Sequence, residues 1–238
     1  MDKYEIIKKI ENFAPMENAE SWDASGWIVE TDKKGVSKIM LCLTPTDEIV
    51  LQAKKSGCDM IISHHPAFYV PCSWKYVDIY CAHTNLDKAC GGTTDTLIAT
   101  LGLVEDKQLR IEHEYLRFVE FGEGISIDEF SKMLSVISPN GRIINNRGIK
   151  ELHRIAFCAG SGSDFIQEAQ NLGADCLVTG DLKFHTALDS EIVVYDIGHF
   201  ESEILVLPVI GRLIDASGID IIYAREKSPF EPLMQCSD

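Results

Sequence analysis

Apolar and polar positions along this chain switch repeatedly between helical and strand spacing. Residues 2–13 read as an opening helix. Ile6, Ile7, Ile10 and Phe13 share one face, and Asp2 is placed to cap the first turn. Residues 36–43 form a predicted strand and 46–56 a helix, with Asp47 and Glu48 at its positive end and Lys54, Lys55 and Gly57 at its close. The apolar run 58–63 predicts a buried strand that stops at Ser63-His64-His65-Pro66. A strand over 77–82 follows, then a helix over 94–101 ended by Gly102.

In the second half, 117–121 reads as a strand, and Ser126-Ile127-Asp128-Glu129 is a capping box opening a helix to residue 137. Pro139-Asn140-Gly141 marks a turn. After Arg154 a strand, a helix and a second strand recur. A helix over 199–215 is expected to kink or break at Pro208, and 219–224 is the last strand. This alternation predicts an α/β fold of mostly parallel or mixed sheets flanked by helices. The expected division is two similar halves, 1–104 and 105–238, with a metal site in the cleft between them.

The similarity is visible in the residues. Sliding the chain by 116 positions places Lys38 on Arg154, Ile39 on Ile155, Cys42 on Cys158, Ala53 on Ala169, Gly57 on Gly173 and Asp59 on Asp175 without a gap. The same offset places His83 on His199 and Asp87 on Glu203. Both halves thus carry His-x-x-x-acid just after a strand, which indicates duplication of one α/β unit.

Composition narrows the partners. The net charge of −15 disfavours binding to a phosphate backbone, which needs clustered Lys and Arg. Eight cysteines include no Cys-x-x-Cys pair, so a zinc ribbon or dithiol site is not indicated. No signal peptide and no long apolar run stand out, and the expected location is the reducing cytoplasm with no membrane partner. The Trp22–Trp27 loop is read as core or interface packing.

Candidate chemistry gathers at the strand ends. In an open α/β sheet, ligands bind at the carboxyl ends of the strands. His199 and Glu203 stand four apart, on one face of a helix, where they can chelate a metal. His64 and His65 point in different directions and so suit two ions better than one. With Asp87, the set comprises three imidazoles and two carboxylates, which suits Zn, Fe, Mn or Ni. Five protein ligands fit two divalent ions, whose bridging water would ionise near neutral pH. His83 and His185 remain as proton-transfer candidates, and Lys183 as a candidate for an anionic substrate.

At these residues the chain resembles the Nif three-like family, whose members carry the name GTP cyclohydrolase I type 2 homologue. The matching stretches are Ser-His-His-Pro (63–66), Ala-His-Thr-Asn-Leu-Asp (82–87) with Gly91-Gly92, Thr-Gly-Asp-Leu-Lys-Phe-His (179–185) and Gly-His-Phe-Glu-Ser-Glu (198–203). Glu11-Asn12-Phe13-Ala14-Pro15 and Trp22-Asp23 also match. The resemblance implies a duplicated α/β fold, a dinuclear site with ligands His64, His65, Asp87, His199 and Glu203, and a toroidal homohexamer. It departs at Ala24, where the family usually has Asn, and residues 104–150 are too few for the inserted domain of longer members. The function it implies is a metal-dependent hydrolase acting on a nucleotide-like substrate. The alternative is a metal-binding assembly or regulatory protein without catalysis.

Overall fold

The structure is a computed structural model that describes residues 1–103, 108–215 and 218–231. The chain forms two compact units: residues 1–92 with 206–226, and residues 93–205 with 227–238. The boundary expected between 104 and 105 falls outside the described residues.

The first unit begins with α1 (Lys3–Phe13), capped by the Asp2 carboxylate accepting from the Tyr4 N–H. Strands β1 (Gly26–Val29) and β2 (Lys38–Cys42), helix α2 (Asp47–Lys55), strands β3 (Met60–Ser63) and β4 (Asp78–Cys81), and helix α3 (Thr84–Lys88) follow. The second unit contains α4 (Thr93–Thr100), β5 (Gln108–Arg110), β6 (Arg117–Ser126), α5 (Ile127–Ser135), β7 (Arg142–Ile144), β8 (Glu151–Phe157), α6 (Ile166–Asn171), β9 (Cys176–Thr179), α7 (Phe184–Asp189), β10 (Val193–Asp196) and α8 (His199–Glu203). The chain then contributes α9 (Leu207–Ile214) and β11 (Asp220–Tyr223) to the first unit.

Here the structure differs from the sequence reading, which gave these last elements to the second half. The reason is pairing: β11 runs parallel to β2, with Ile221 opposite Ile39, and α9 packs on α1 and β2. The first sheet has the order β1-β4-β3-β2-β11 and the second β5-β6-β8-β9-β10-β7. The first sheet has four parallel strands, β4, β3, β2 and β11, with antiparallel β1 beside β4; the second has three, β8, β9 and β10, with antiparallel β7 beside β10 and antiparallel β6 beside β8.

Both faces of the second sheet are buried. Val119, Ile155, Phe157, Val178 and Tyr195 pack beneath α5, while Phe118, Ala156, Leu177 and Val194 pack beneath α6. This odd–even split is the period-2 geometry of a sheet covered on both sides.

The duplication holds at the level of register. Ile39 pairs with Met60 and Ile155 with Cys176, each 116 positions on. In the first unit the Asp59 carboxylate accepts from the Ser37 and Lys38 N–H groups; in the second the Asp175 carboxylate accepts from His153 and Arg154. The turn before each aspartate also repeats, with Cys58 N–H donating to Ala53 O and Ala174 N–H to Ala169 O, both at 2.9 Å. Gly57 and Gly173 hold the positive φ these turns require.

Candidate functional site

In the first unit the functional side chains sit where β3 and β4 end. The β2–β3 ladder extends past Ser63, with His64 N–H donating to Cys42 O and His65 N–H to Leu43 O, and Pro66 then stops the strand. The two rings lie 4.9 Å apart between centroids, and the His83 ring lies 5.3 Å from His64 and 5.6 Å from His65. One ligand nitrogen from each of these histidines falls within 4.8 Å of the others. Asp87, on α3, brings Oδ1 to 3.5 Å from His64 Nε2.

An oxygen engages Nδ1 of each ring. His64 Nδ1 lies 3.0 Å from Ala82 O, His65 Nδ1 2.7 Å from Thr44 Oγ1, and His83 Nδ1 2.8 Å from Asp23 Oδ1. A carbonyl or an ionised carboxylate only accepts, so neutral His64 and His83 carry the proton on Nδ1 and present the Nε2 lone pair. Asp23 is well suited to its part. Burial pushes its carboxyl up, but hydrogen bonds from Ser25, Thr84 and His83 outweigh burial and hold it well below the usual range. Glu226, following β11, accepts from the Leu43 and Thr44 N–H groups and so fixes the loop that carries the Thr44 hydroxyl.

In the second unit, His199 and Glu203 occupy one face of α8, with His199 Nε2 2.9 Å from Glu203 Oε2. His199 Nδ1 lies 2.6 Å from Asp181 Oδ2. Burial lowers the His199 pKa, but Glu203 and then Asp181 more than reverse this, and it is raised to about 9. The Gly160-Ser161-Gly162 loop after β8 lies against Glu203: a Cβ on Gly160 would fall 2.0 Å from Glu203 Oε1. Ser202 Oγ accepts from Gly160 N–H at 2.9 Å.

The structure thus gathers His64, His65, His83 and Asp87 within the first unit, and His199 and Glu203 within the second. His185 is exposed on α7 with its ring edge-on to Phe184, and Lys183 is exposed beside it. Of the two tryptophans, Trp27 packs on Tyr80 and Tyr4 as the packing reading expects, whereas Trp22 is 72% exposed. Asp23, Asp181 and Gly160 were not singled out from the sequence. Asp181 and Asp23 lie inside the quoted motifs, and a Gly-x-Gly following a strand is a visible signal for the third.

Among the described residues no helix is long and apolar enough to cross a membrane. A Clostridium perfringens protein named GTP cyclohydrolase 1 type 2 homolog is 31% identical over 95% of this chain and 98% of its own length. The structure of reduced HcgD from Methanocaldococcus jannaschii matches with a TM-score of 0.79 and 25% identity, covering 94% of this chain and 98% of that one. A Bacillus cereus protein related to NIF3 matches with a TM-score of 0.82 and 18% identity over 98% and 99% of the two chains, a likeness of fold. The model of the Duf34/NIF3 (NGG1p interacting factor 3) family matches residues 1–229, and the chain belongs to that family.

Proposed function

We propose that this protein is a metal-dependent hydrolase that acts on a nucleotide-like substrate. His64, His65, Asp87, His199 and Glu203 are the ligands of two divalent ions, drawn from Zn, Fe, Mn or Ni. The observation that carries the reading is the engagement of Nδ1 by an oxygen on all three ligand imidazoles, from Ala82, Thr44 and Asp181. Metal-binding histidines are held in this way, with Nε2 left to the ion. When bound, such ions supply a hydroxide near neutral pH.

The chain's own groups then supply position and proton transfer. His83, held through Nδ1 by Asp23, offers Nε2 to accept a proton from water or return one to a leaving group. His185, exposed on α7, is the second candidate for proton transfer. The name shared by the curated relatives favours a nucleotide ring as the substrate. The resemblance favours a homohexamer, and free thiols at the seven described cysteines favour a cytoplasmic location.

The test is elemental analysis of the purified protein paired with GTP turnover before chelation, after chelation and after metal return. The reading expects bound metal near two ions per chain and turnover that follows it. Full turnover by metal-free protein refutes the mechanism. Retained metal with no turnover on nucleotide, phosphoester and amide panels selects the non-catalytic metal-binding alternative.

A further inference from the structure

Asp181 is the one non-glycine residue with positive φ, 56°, among the described residues. Such a conformation is costly and persists only where its surroundings fix it. Here the backbone is pinned on both sides. Thr179, the last residue of β9, donates through Oγ1 to Gly160 O, and Gly180 N–H donates to the same oxygen at 2.8 Å. Gly180 has no room for a side chain: a Cβ would fall 2.7 Å from His199 N and 2.9 Å from Gly160 O. Beyond the turn, Leu182 N–H donates to Asp196 Oδ2 at 3.3 Å.

Packing of the Asp181 side chain does not explain the turn, because that side chain is 43% exposed. What the turn achieves is the 2.6 Å contact between Asp181 Oδ2 and His199 Nδ1. The duplication supplies an independent reason to regard the position as built. Going back 116 places from Asp181 reaches His65, and going back the same distance from His199 reaches His83. In the first unit those two rings also meet, edge-on with centroids 5.6 Å apart. The residue just past the second parallel strand meets the equivalent histidine in both units.

We propose that Asp181 is the positioning residue of the metal ligand His199. Its carboxylate fixes the ring so that Nε2 points to the side where Glu203 Oε2 lies, and it raises the donor strength of that nitrogen. The inference rests on His199 being a ligand, as proposed above.

The experiment titrates the full-length, metal-stripped protein with Co2+ alone by calorimetry and chelator competition, and records the thermal midpoint alongside. Three variants are compared: Asp181→Asn, which keeps a residue tolerant of this φ but removes the charge; Asp181→Gly, which also relaxes the backbone; and His199→Ala. The ion lost in His199→Ala should bind about 10–100-fold more weakly in both Asp181 variants. The midpoint of Asp181→Asn should stay within about 2 °C of the parent, a separation that a purely structural role would not give. Parental Co2+ affinity in Asp181→Asn, alongside a loss in His199→Ala, overturns the role of Asp181 and leaves the ligand reading intact. Parental affinity in His199→Ala overturns the ligand reading itself. A weakened affinity in Asp181→Asn that is matched by a large fall in midpoint also counts against the positioning role.

Discussion

Gly160→Ala isolates how tightly the second unit's carboxylate is seated. The added Cβ would lie 2.0 Å from Glu203 Oε1 and 2.9 Å from its Cδ, where ordinary contact begins near 3.4 Å. More than an ångström must be recovered. The Gly160 backbone resists, because its N–H donates to Ser202 Oγ and its carbonyl accepts from Gly180 N–H. The Glu203 carboxylate is therefore the part that swings, breaking its 2.9 Å contact with His199. The left-handed φ of 71° adds roughly 1–2 kcal/mol for any L-residue. Loss of a pair involving a carboxylate that is only 5% exposed adds about 1–2 kcal/mol. The expected destabilisation is about 2–4 kcal/mol in urea, with at least tenfold weaker metal binding. Gly173→Ala is the control. It shares the positive φ but has nothing within 4 Å of the new Cβ, so it should cost only about 1–2 kcal/mol and leave metal affinity unchanged. Equal effects of the two substitutions on both stability and affinity would show that Glu203 is not wedged against Gly160.

The metal-free protein should lose stability as pH rises. The His199 pKa is raised to about 9 from an unfolded value near 6.5, so its contribution is complete below pH 6.5 and gone above 9. The shift corresponds to at most ~3 kcal/mol, and with the ring 31% exposed about 1–2 kcal/mol is expected; urea midpoints at pH 6 and 9.5 measure it, and His199→Gln should flatten the difference. Asp23→Asn should lower turnover about 100-fold while metal content by elemental analysis stays at the parental level, since the His83 it holds is outside the ligand set. Asp59→Ala and Asp175→Ala remove the same clasp from the two units, and each should cost about 1–3 kcal/mol by denaturant unfolding; a large cost at one and none at the other would contradict their equivalence.

What could be read from the sequence was local or periodic. The Asp2 cap, the Ser126 cap and the buried strands carry their signals within a few residues, and each forms where the pattern placed it. The helix expected over 199–215 is three pieces: α8, a tight turn over Ile204–Val206, and α9. Pro208 sits in the first turn of α9, where its missing N–H costs nothing, so the break falls before it. Strand β6 continues to Ser126, past residue 121, because a register shift between Glu120 and Ile125 absorbs Gly122 and Gly124. The partners of the imidazoles were the least legible. Asp23 and His83 are 60 residues apart, and Thr44 and His65 are 21 apart; no period links them. Only the chain's return through β11 explains why Glu226 lies against Leu43 and Thr44.

The duplication also explains why the halves are not interchangeable. The parallel strands keep one register, so residues 64 and 65 and residues 180 and 181 occupy equivalent positions just beyond a strand end. In the first unit both positions carry imidazoles. In the second, the first is a glycine, forced by the approach of the His199 backbone, and the next is an aspartate turned into a left-handed conformation. Where the first unit gains two nitrogen donors, the second uses the same stretch to hold a histidine that comes from the following helix. The His-x-x-x-acid pair is retained in both, but its histidine takes its Nδ1 oxygen from different places: Asp23, far back in the chain, for His83, and Asp181, across the sheet end, for His199. A freed strand-end position in one copy and an outside carboxylate in the other are complementary solutions to one requirement, a ring held through Nδ1. That requirement accounts for the asymmetry of the ligand set proposed above, three imidazoles and two carboxylates on a symmetric scaffold.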